Sequence, residues 1–304
     1  MDPTLRMVER FEELRQRRQL DAPYDYETIF PTGGYFVRRA SQKKLELLKR
    51  LDEHLRAILK PGERVRYLTT GVLYSFLESY LLGAIAYYIN LRALVLTTER
   101  ILLIQITSRQ RPDRLKSQIL LGDVERIKST AFGNTRIKLR GGQTYLFTHV
   151  PRRDRKALAG LLGTARGGSV TVSTSGAMEN LCPHCYHLVA EHPPRCPSCG
   201  GGIKSPTTAL RLSALFPGLG AFYLGYHKLG VFKMLLAAMI WVGVWLPDPR
   251  NPTTLAQRVP YAVAVLAIVH LFGVGAAQYL ARKGHYPAAP AGARVVAATA
   301  STSR

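Results

Sequence analysis

The residues of this chain best suited to chemistry are four cysteines, Cys182, Cys185, Cys196 and Cys199, in the strings CPHC and CPSC. The 304 residues hold no others. The spacing C-x2-C-x10-C-x2-C lets two short turns each offer a pair of thiolates to one ion. Four thiolates at about 2.3 Å complete the tetrahedron that Zn2+ prefers and leave no position open for a substrate. The expected cofactor is therefore a structural Zn2+, and the segment around it is too small to fold without metal. Two disulfides, or four thiols without metal, are the alternatives. A redox C-x-x-C needs only one pair, beside a βαβ unit that the pattern lacks. Thiolates held on zinc also point to a reducing compartment. His184, His187 and His192 lie nearby, but four thiolates already fill the shell, so they read as surface or outer residues.

Around these cysteines the sequence resembles the bacterial zinc-ribbon family. Gly200 follows the second pair, as that family usually has it, whereas Tyr186 follows the first, where glycine is usual. A tight knuckle there asks for a positive φ, which costs tyrosine more than glycine. The first knuckle is accordingly expected to be the looser or more exposed of the two.

Nothing else in the chain has the spacing of a catalytic site. After Asp154 the acidic residues are Glu179, Glu191 and Asp248, and there is no G-x-S-x-G, Walker loop or H-E-x-x-H. The reading is non-enzymatic. Net charge is +22, of which residues 1–166 carry +14. Such a balance asks for an anionic partner, either phospholipid head groups or nucleic acid. Lys128, Arg136, Lys138 and Arg140, on or beside expected strands, are the candidate anion-binding residues. Near anionic lipid such cations contribute roughly 1 kcal/mol each. The ribbon region, 180–203, has Arg195 as its one Lys/Arg, a poor phosphate path, so nucleic acid is the weaker alternative.

The elements that must position these groups differ along the chain. Residues 1–19 have Leu5, Val8, Phe11 and Leu14 at helical spacing among charges, the pattern of a surface helix rather than a signal peptide. Residues 21–34 read as loop. Residues 41–60 predict an amphipathic helix with Ser41 as its cap and Leu45, Leu48, Leu51, Leu55 and Ile58 on one face. Strands are then expected over 64–68, 93–98, 101–106, 124–130, 135–140 and 144–148, closed by a helix over 151–162. Residues 68–89 are strongly apolar with Glu78 as their one charge, and read as a hairpin insertion or a membrane-touching element, with a membrane span as the alternative. Residues 259–281 carry no charge over 23 positions, enough to cross a bilayer core. Residues 226–246 are nearly as apolar, and 212–225 form a third, shorter stretch, so two or three spans are expected. His270 lies inside the last run and reads as a helix–helix hydrogen bond, with a proton or ligand site as the alternative. The cations flanking that run, Arg250 and Arg258 before it and Arg282 and Lys283 after it, do not choose an orientation.

Two further resemblances attach to these stretches. LRALVLTTERILLI (91–104), DVERIKS (123–129) and GNTRIKLRGGQTYLF followed by a helix resemble the bacterial pleckstrin-homology-like family, close to GRAM domains. The resemblance implies a seven-stranded bent sandwich capped by a helix. LFPGLGAFYLGYHKLGVFKMLL (215–236) resembles short proteins with two transmembrane helices joined by a GxGxFYLG turn, although Pro247-Asp248-Pro249 replaces the charged signature that often follows there. The expected architecture is a multidomain α+β membrane protein. It has an N-terminal helix and loop (1–40), a pleckstrin-homology-like domain (41–165), a linker (166–179), a zinc ribbon (180–203), a membrane domain (207–282) and a disordered tail (283–304). The expected role is a non-catalytic scaffold or adaptor, with residues 1–200 on the cytoplasmic face of a bacterial inner membrane. Its partners would be the bilayer, anionic lipid, an unidentified protein or further copies of itself. The alternatives are a nucleic-acid-binding membrane-tethered ribbon protein and a small oligomeric channel or transporter.

Overall fold

The computed structural model describes residues 23–30, 37–130, 134–165, 176–246 and 254–288. The expected helix over 1–19, most of the linker and the tail from 289 lie outside them. The chain divides into two compact units, Met1–Ser79 with Ala86–Leu188, and Tyr80–Ile85 with Val189–Arg304.

The first unit is built on one antiparallel sheet. A helical turn, α1 (Tyr26–Ile29), and a long helix, α2 (Val37–Ile58), precede it. The strands are β1 (Val65–Tyr74), β2 (Leu91–Thr97), β3 (Arg100–Ile106), β4 (Pro112–Leu120), β5 (Val124–Ser129), β6 (Thr135–Leu139) and β7 (Thr144–Thr148). Helix α5 (Arg152–Ala165) follows, and a two-residue strand, β8 (Glu179–Asn180), completes the order β5-β6-β7-β1-β2-β3-β4-β8. Between β1 and β2 the chain makes two short helices, α3 (Phe76–Leu82) and α4 (Ile85–Ile89).

Strands β2 and β3 are buried on both faces, which is why they read as continuous apolar runs rather than alternating ones. One face of the central strands, with Leu68, Ala93, Val95, Leu102, Ile104 and Ile106, packs with Leu45, Leu48, Leu51, Leu55 and Ile58 of α2. The other face, with Tyr67, Leu94, Leu96, Ile101 and Leu103, packs with Ile137, Leu139 and Phe147 of β6 and β7 and with Leu158 and Leu162 of α5. Helix α2 starts at Val37, so Ser41 is an interior, buried residue and not the expected cap. Strand β4 had no sequence signal of its own, because Asp113, Arg114 and Lys116 break its apolar pattern.

Two buried polar clusters lock this unit. Glu63 accepts from Arg100 Nε at 2.9 Å and Nη2 at 2.8 Å, from the Thr97 hydroxyl at 2.6 Å and from the Lys60 N–H at 3.0 Å. Arg100 also donates to the Ile58 carbonyl, tying the end of α2 to the β2–β3 turn. Asp154, at the start of α5, accepts from Tyr67 at 2.8 Å and Thr69 at 2.6 Å and pairs with buried Lys44 of α2 at 3.0 Å.

The second unit contains α6 (Pro206–Leu215), α7 (Leu219–Leu224), α8 (His227–Trp245) and α9 (Leu255–Arg282). Gly218 and Gly225, both at positive φ, bracket α7. A Cβ on Gly220 would overlap Ser213 Oγ and the Ala209 carbonyl of α6, and one on Gly230 would overlap the Phe222 ring. The G-x-G-x-F-Y-L-G string is thus a close-packing device. His270 of α9 hydrogen-bonds the Ala214 carbonyl of α6 at 2.8 Å. Residues Ala256–Arg282 form a helix long and apolar enough to cross a membrane, the one such helix among the described residues, and little of it is buried. After it, His285 and Tyr286 are buried, and Ala288 donates its N–H to the Gly202 carbonyl.

Candidate metal centre

The chain reaches the cysteines by way of β8, whose Glu179 and Asn180 pair with Gln118 and Ser117 on the edge of β4. The Leu181 N–H then donates to the Lys116 carbonyl at 2.9 Å, which places Cys182 beside the sheet edge. Each cysteine pair sits in the same hydrogen-bonded turn. In the first, the Cys182 N–H donates to the His187 carbonyl at 2.8 Å and the Tyr186 N–H to the Cys182 carbonyl at 3.1 Å. In the second, the Cys196 N–H donates to the Gly201 carbonyl and the Gly200 N–H to the Cys196 carbonyl, both at 2.8 Å. Tyr186 and Gly200 occupy equivalent left-handed positions, with φ of 62° and 68°.

All four side chains are thiols, and their sulfurs lie within 4.8 Å of one another. A tetrahedral ion bound at about 2.3 Å needs sulfurs about 3.8 Å apart, so these four could hold a metal ion with small adjustments. The Cys182 sulfur also accepts from the His184 N–H at 3.4 Å, a contact that stabilises thiolate charge. His184, His187 and His192 are not members of the four-residue cluster. His187 Nδ1 is instead 3.3 Å from the Cys185 carbonyl, and the His192 ring lies edge-on to His285 with centroids 5.0 Å apart.

The first knuckle is not the looser one. Cys182 is fully buried and Cys185 half-buried, whereas Cys199 of the second knuckle is exposed. The reason is Tyr186, which packs against the core formed by α2 and the central strands. Burial pushes its phenol above the usual range. Lys116 Nζ lies 5.5 Å over its ring centroid. Burial drives the Lys116 ammonium down to about 8, against the opposing pull of Asp113 and Cys182. The charge of metal-bound thiolates would strengthen that pull.

The basic residues named from sequence fall on β5 and β6 and the turn after them. Pairing sets Lys128 opposite Arg136 and Arg126 opposite Lys138. Lys128, Arg136, Lys138 and Arg140 are all exposed, as is Arg126, which the sequence reading omitted. One carboxylate enters the row, Glu125, 2.8 Å from Lys138 Nζ. A second basic region was also missed. An open cavity of about 880 Å³ is lined by Lys43 of α2, Arg152 and Arg153 of α5, and the Lys44–Asp154 pair. Its residues come from elements more than a hundred positions apart, so no local spacing could announce it.

No family model matches the chain, and no curated protein does. Among solved structures, the C-terminal domain of an unknown protein from Leishmania infantum is similar at 15% identity and a TM-score of 0.26, over 39% of this chain and 94% of that one. The DH/PH domains of a RhoGEF are similar at 16% identity and a TM-score of 0.28, over 45% of each chain.

Proposed function

We propose that this protein is a non-catalytic, membrane-anchored scaffold or adaptor. Its first unit would be a pleckstrin-homology-like domain that binds an anionic partner, lipid head groups before protein. The observation that carries this reading is the β5–β6 face. Like charges directly opposite each other destabilise a strand pair, yet Lys128 faces Arg136 and Arg126 faces Lys138. Glu125 offsets Lys138, and a counter-charge outside the chain is a good account of the rest of this exposed row. Seven antiparallel strands followed by one helix support the pleckstrin-homology-like assignment.

The anchor would be the second unit. Helix α9 supplies one span, and α8, with Leu235, Met239, Trp241, Val242 and Trp245 exposed, supplies a second. Trp241 and Trp245 suit one interface and exposed Lys228 suits the other, while Lys233 Nζ lies beside Gly273 of α9. The metal would be Zn2+, because a donor set of four thiolates favours it, and its role would be structural. The reducing environment that thiolates need favours a cytoplasmic position for residues 1–200.

The test uses the full chain in neutral-lipid nanodiscs, mixed with anionic or neutral vesicles. Wild type should bind anionic vesicles in a salt-sensitive way, since the Debye length shortens to about 8 Å near physiological ionic strength. The quadruple reversal Lys128→Glu, Arg136→Glu, Lys138→Glu and Arg140→Glu should lose that binding. Equal binding by both proteins overturns the lipid assignment. Tighter binding of nucleic acid than of vesicles at physiological salt would favour the nucleic-acid alternative.

A further inference from the structure

The two short helices between β1 and β2 have their polarity reversed. Their one charge, Glu78, is 1% exposed, held by the Asn90 side-chain amide and with its N–H on the Ser75 hydroxyl at 3.4 Å. The α4 end is fixed from inside as well. The Ile89 carbonyl accepts from Arg92 at 3.0 Å and from Gln105 at 2.8 Å, and both donors are buried. The one charged side chain of the segment is therefore turned inward. The outer surface is Phe76 (76% exposed), Tyr80 (73%), Tyr88 (58%) and Leu77 (48%), with Tyr74 and Tyr87 beside them.

In water this arrangement costs stability twice, by burying a carboxylate and by exposing aromatic rings. It is the arrangement expected of a segment whose outer medium is the boundary between head groups and acyl chains. Tyrosine, like tryptophan, is suited to that boundary, because its ring is apolar and its hydroxyl stays wet. Four of the six exposed side chains named here are tyrosines.

We propose that α3 and α4 form a second membrane contact, an interfacial wedge that seats Phe76, Leu77, Tyr80 and Tyr88 in the bilayer boundary. The proposal rests on the membrane anchoring argued above. The wedge would fix where the β-sheet unit stands with respect to the lipid surface. It differs from the basic face in mode, since it binds through aromatic burial and is indifferent to lipid charge and salt.

The experiment places an indole on the wedge, Tyr80→Trp, in a full-length chain whose own indoles are removed by Trp241→Phe and Trp245→Phe. Phe76→Trp in the same background is a second reporter, and both positions are exposed, so neither change disturbs a core. The chains are reconstituted into neutral proteoliposomes with and without lipids brominated on the upper acyl chain. An interfacial helix lies about 5–10 Å into the boundary, so the bromines should give roughly a twofold loss of emission. Acrylamide in the aqueous phase should quench little. Strong acrylamide quenching with no bromolipid effect overturns the proposal, because the face is then in water. Protection from both quenchers also overturns it, because protein then covers the face. Alkaline carbonate treatment of the same vesicles separates the two readings. Release of the chain defeats the anchor, whereas retention without bromolipid quenching defeats the wedge alone.

Discussion

Tyr186 shows how a cysteine knuckle can do without glycine. Its left-handed backbone costs about 1 kcal/mol relative to glycine, while burying much of a large aromatic side chain contributes about 2 kcal/mol. Tyr186→Gly should therefore lower stability by about 1 kcal/mol, read by heat or denaturant unfolding, and should loosen Cys182 more than Cys196. A rise in stability would mean that the packing against α2 is worth less than the strain. Removal of a ligand is a larger event, because thiolate binding supplies the folding energy of so short a segment. Elemental analysis of the wild type should find one zinc per chain. Cys196→Ser should lose most of it and open the ribbon to protease. A metal-free wild type with disulfides by mass would rule out the metal site. The histidines were legible as bystanders, since four thiolates already complete the shell. The burial of the first knuckle was not, because it depends on a sheet edge some 65 positions earlier in the chain.

At the scale of elements, the string Leu-Thr-Thr-Glu-Arg has a physical explanation in Glu63. Thr97 and Arg100 both serve its carboxylate, while Glu99 points outward to Lys60 at 3.0 Å. Burial pushes the Glu63 carboxyl up, but hydrogen bonds from Arg100, the Lys60 N–H and Thr97 outweigh it and hold the group below its ordinary value of 4.5. Its stabilisation is therefore complete at neutral pH, persists down to about that value and is lost as pH falls through the folded-state value. Glu63→Gln leaves Arg100 buried without its counter-charge, which should cost about 3–5 kcal/mol and flatten the acid limb of the stability curve. An unchanged acid limb would show that Glu63 does not set it. The close-packed turn of the second unit is tested by Gly220→Leu. The side chain would run into Ser213 and the Ala209 carbonyl, so the variant should aggregate in detergent at a lower temperature than wild type. Gly243→Leu, with open space around its site, should not.

At the scale of the whole molecule, anchoring by the second unit predicts that the full chain stays in the membrane pellet after alkaline carbonate, and that cleavage near Gly200 weakens retention of residues 1–200. If the interfacial wedge acts as argued, the cleaved piece should still associate with neutral vesicles. Chelation of the metal should change protease sensitivity around the ribbon without releasing the chain from the pellet. Release by chelator alone would mean that the metal, not the apolar helix, holds the protein in place.

Local pattern by itself determined much of this protein. Paired cysteines at short spacing, a long uncharged run and a strand-to-helix change of period are all written within windows of about twenty residues, and they announced the cysteine cluster, the apolar helix and most strands of the sheet. Three things were decided only by tertiary structure, because each joins distant segments. Helix α2 was legible as amphipathic, but its target, the second face of β1 to β3, was not. Strand β4 exists because β3 offers it an edge, in spite of its charges. The apolar stretch 68–89 resolves into the end of a strand and two helices, because Asn90, Arg92 and Gln105 draw its polar groups inward and leave its aromatic residues outside.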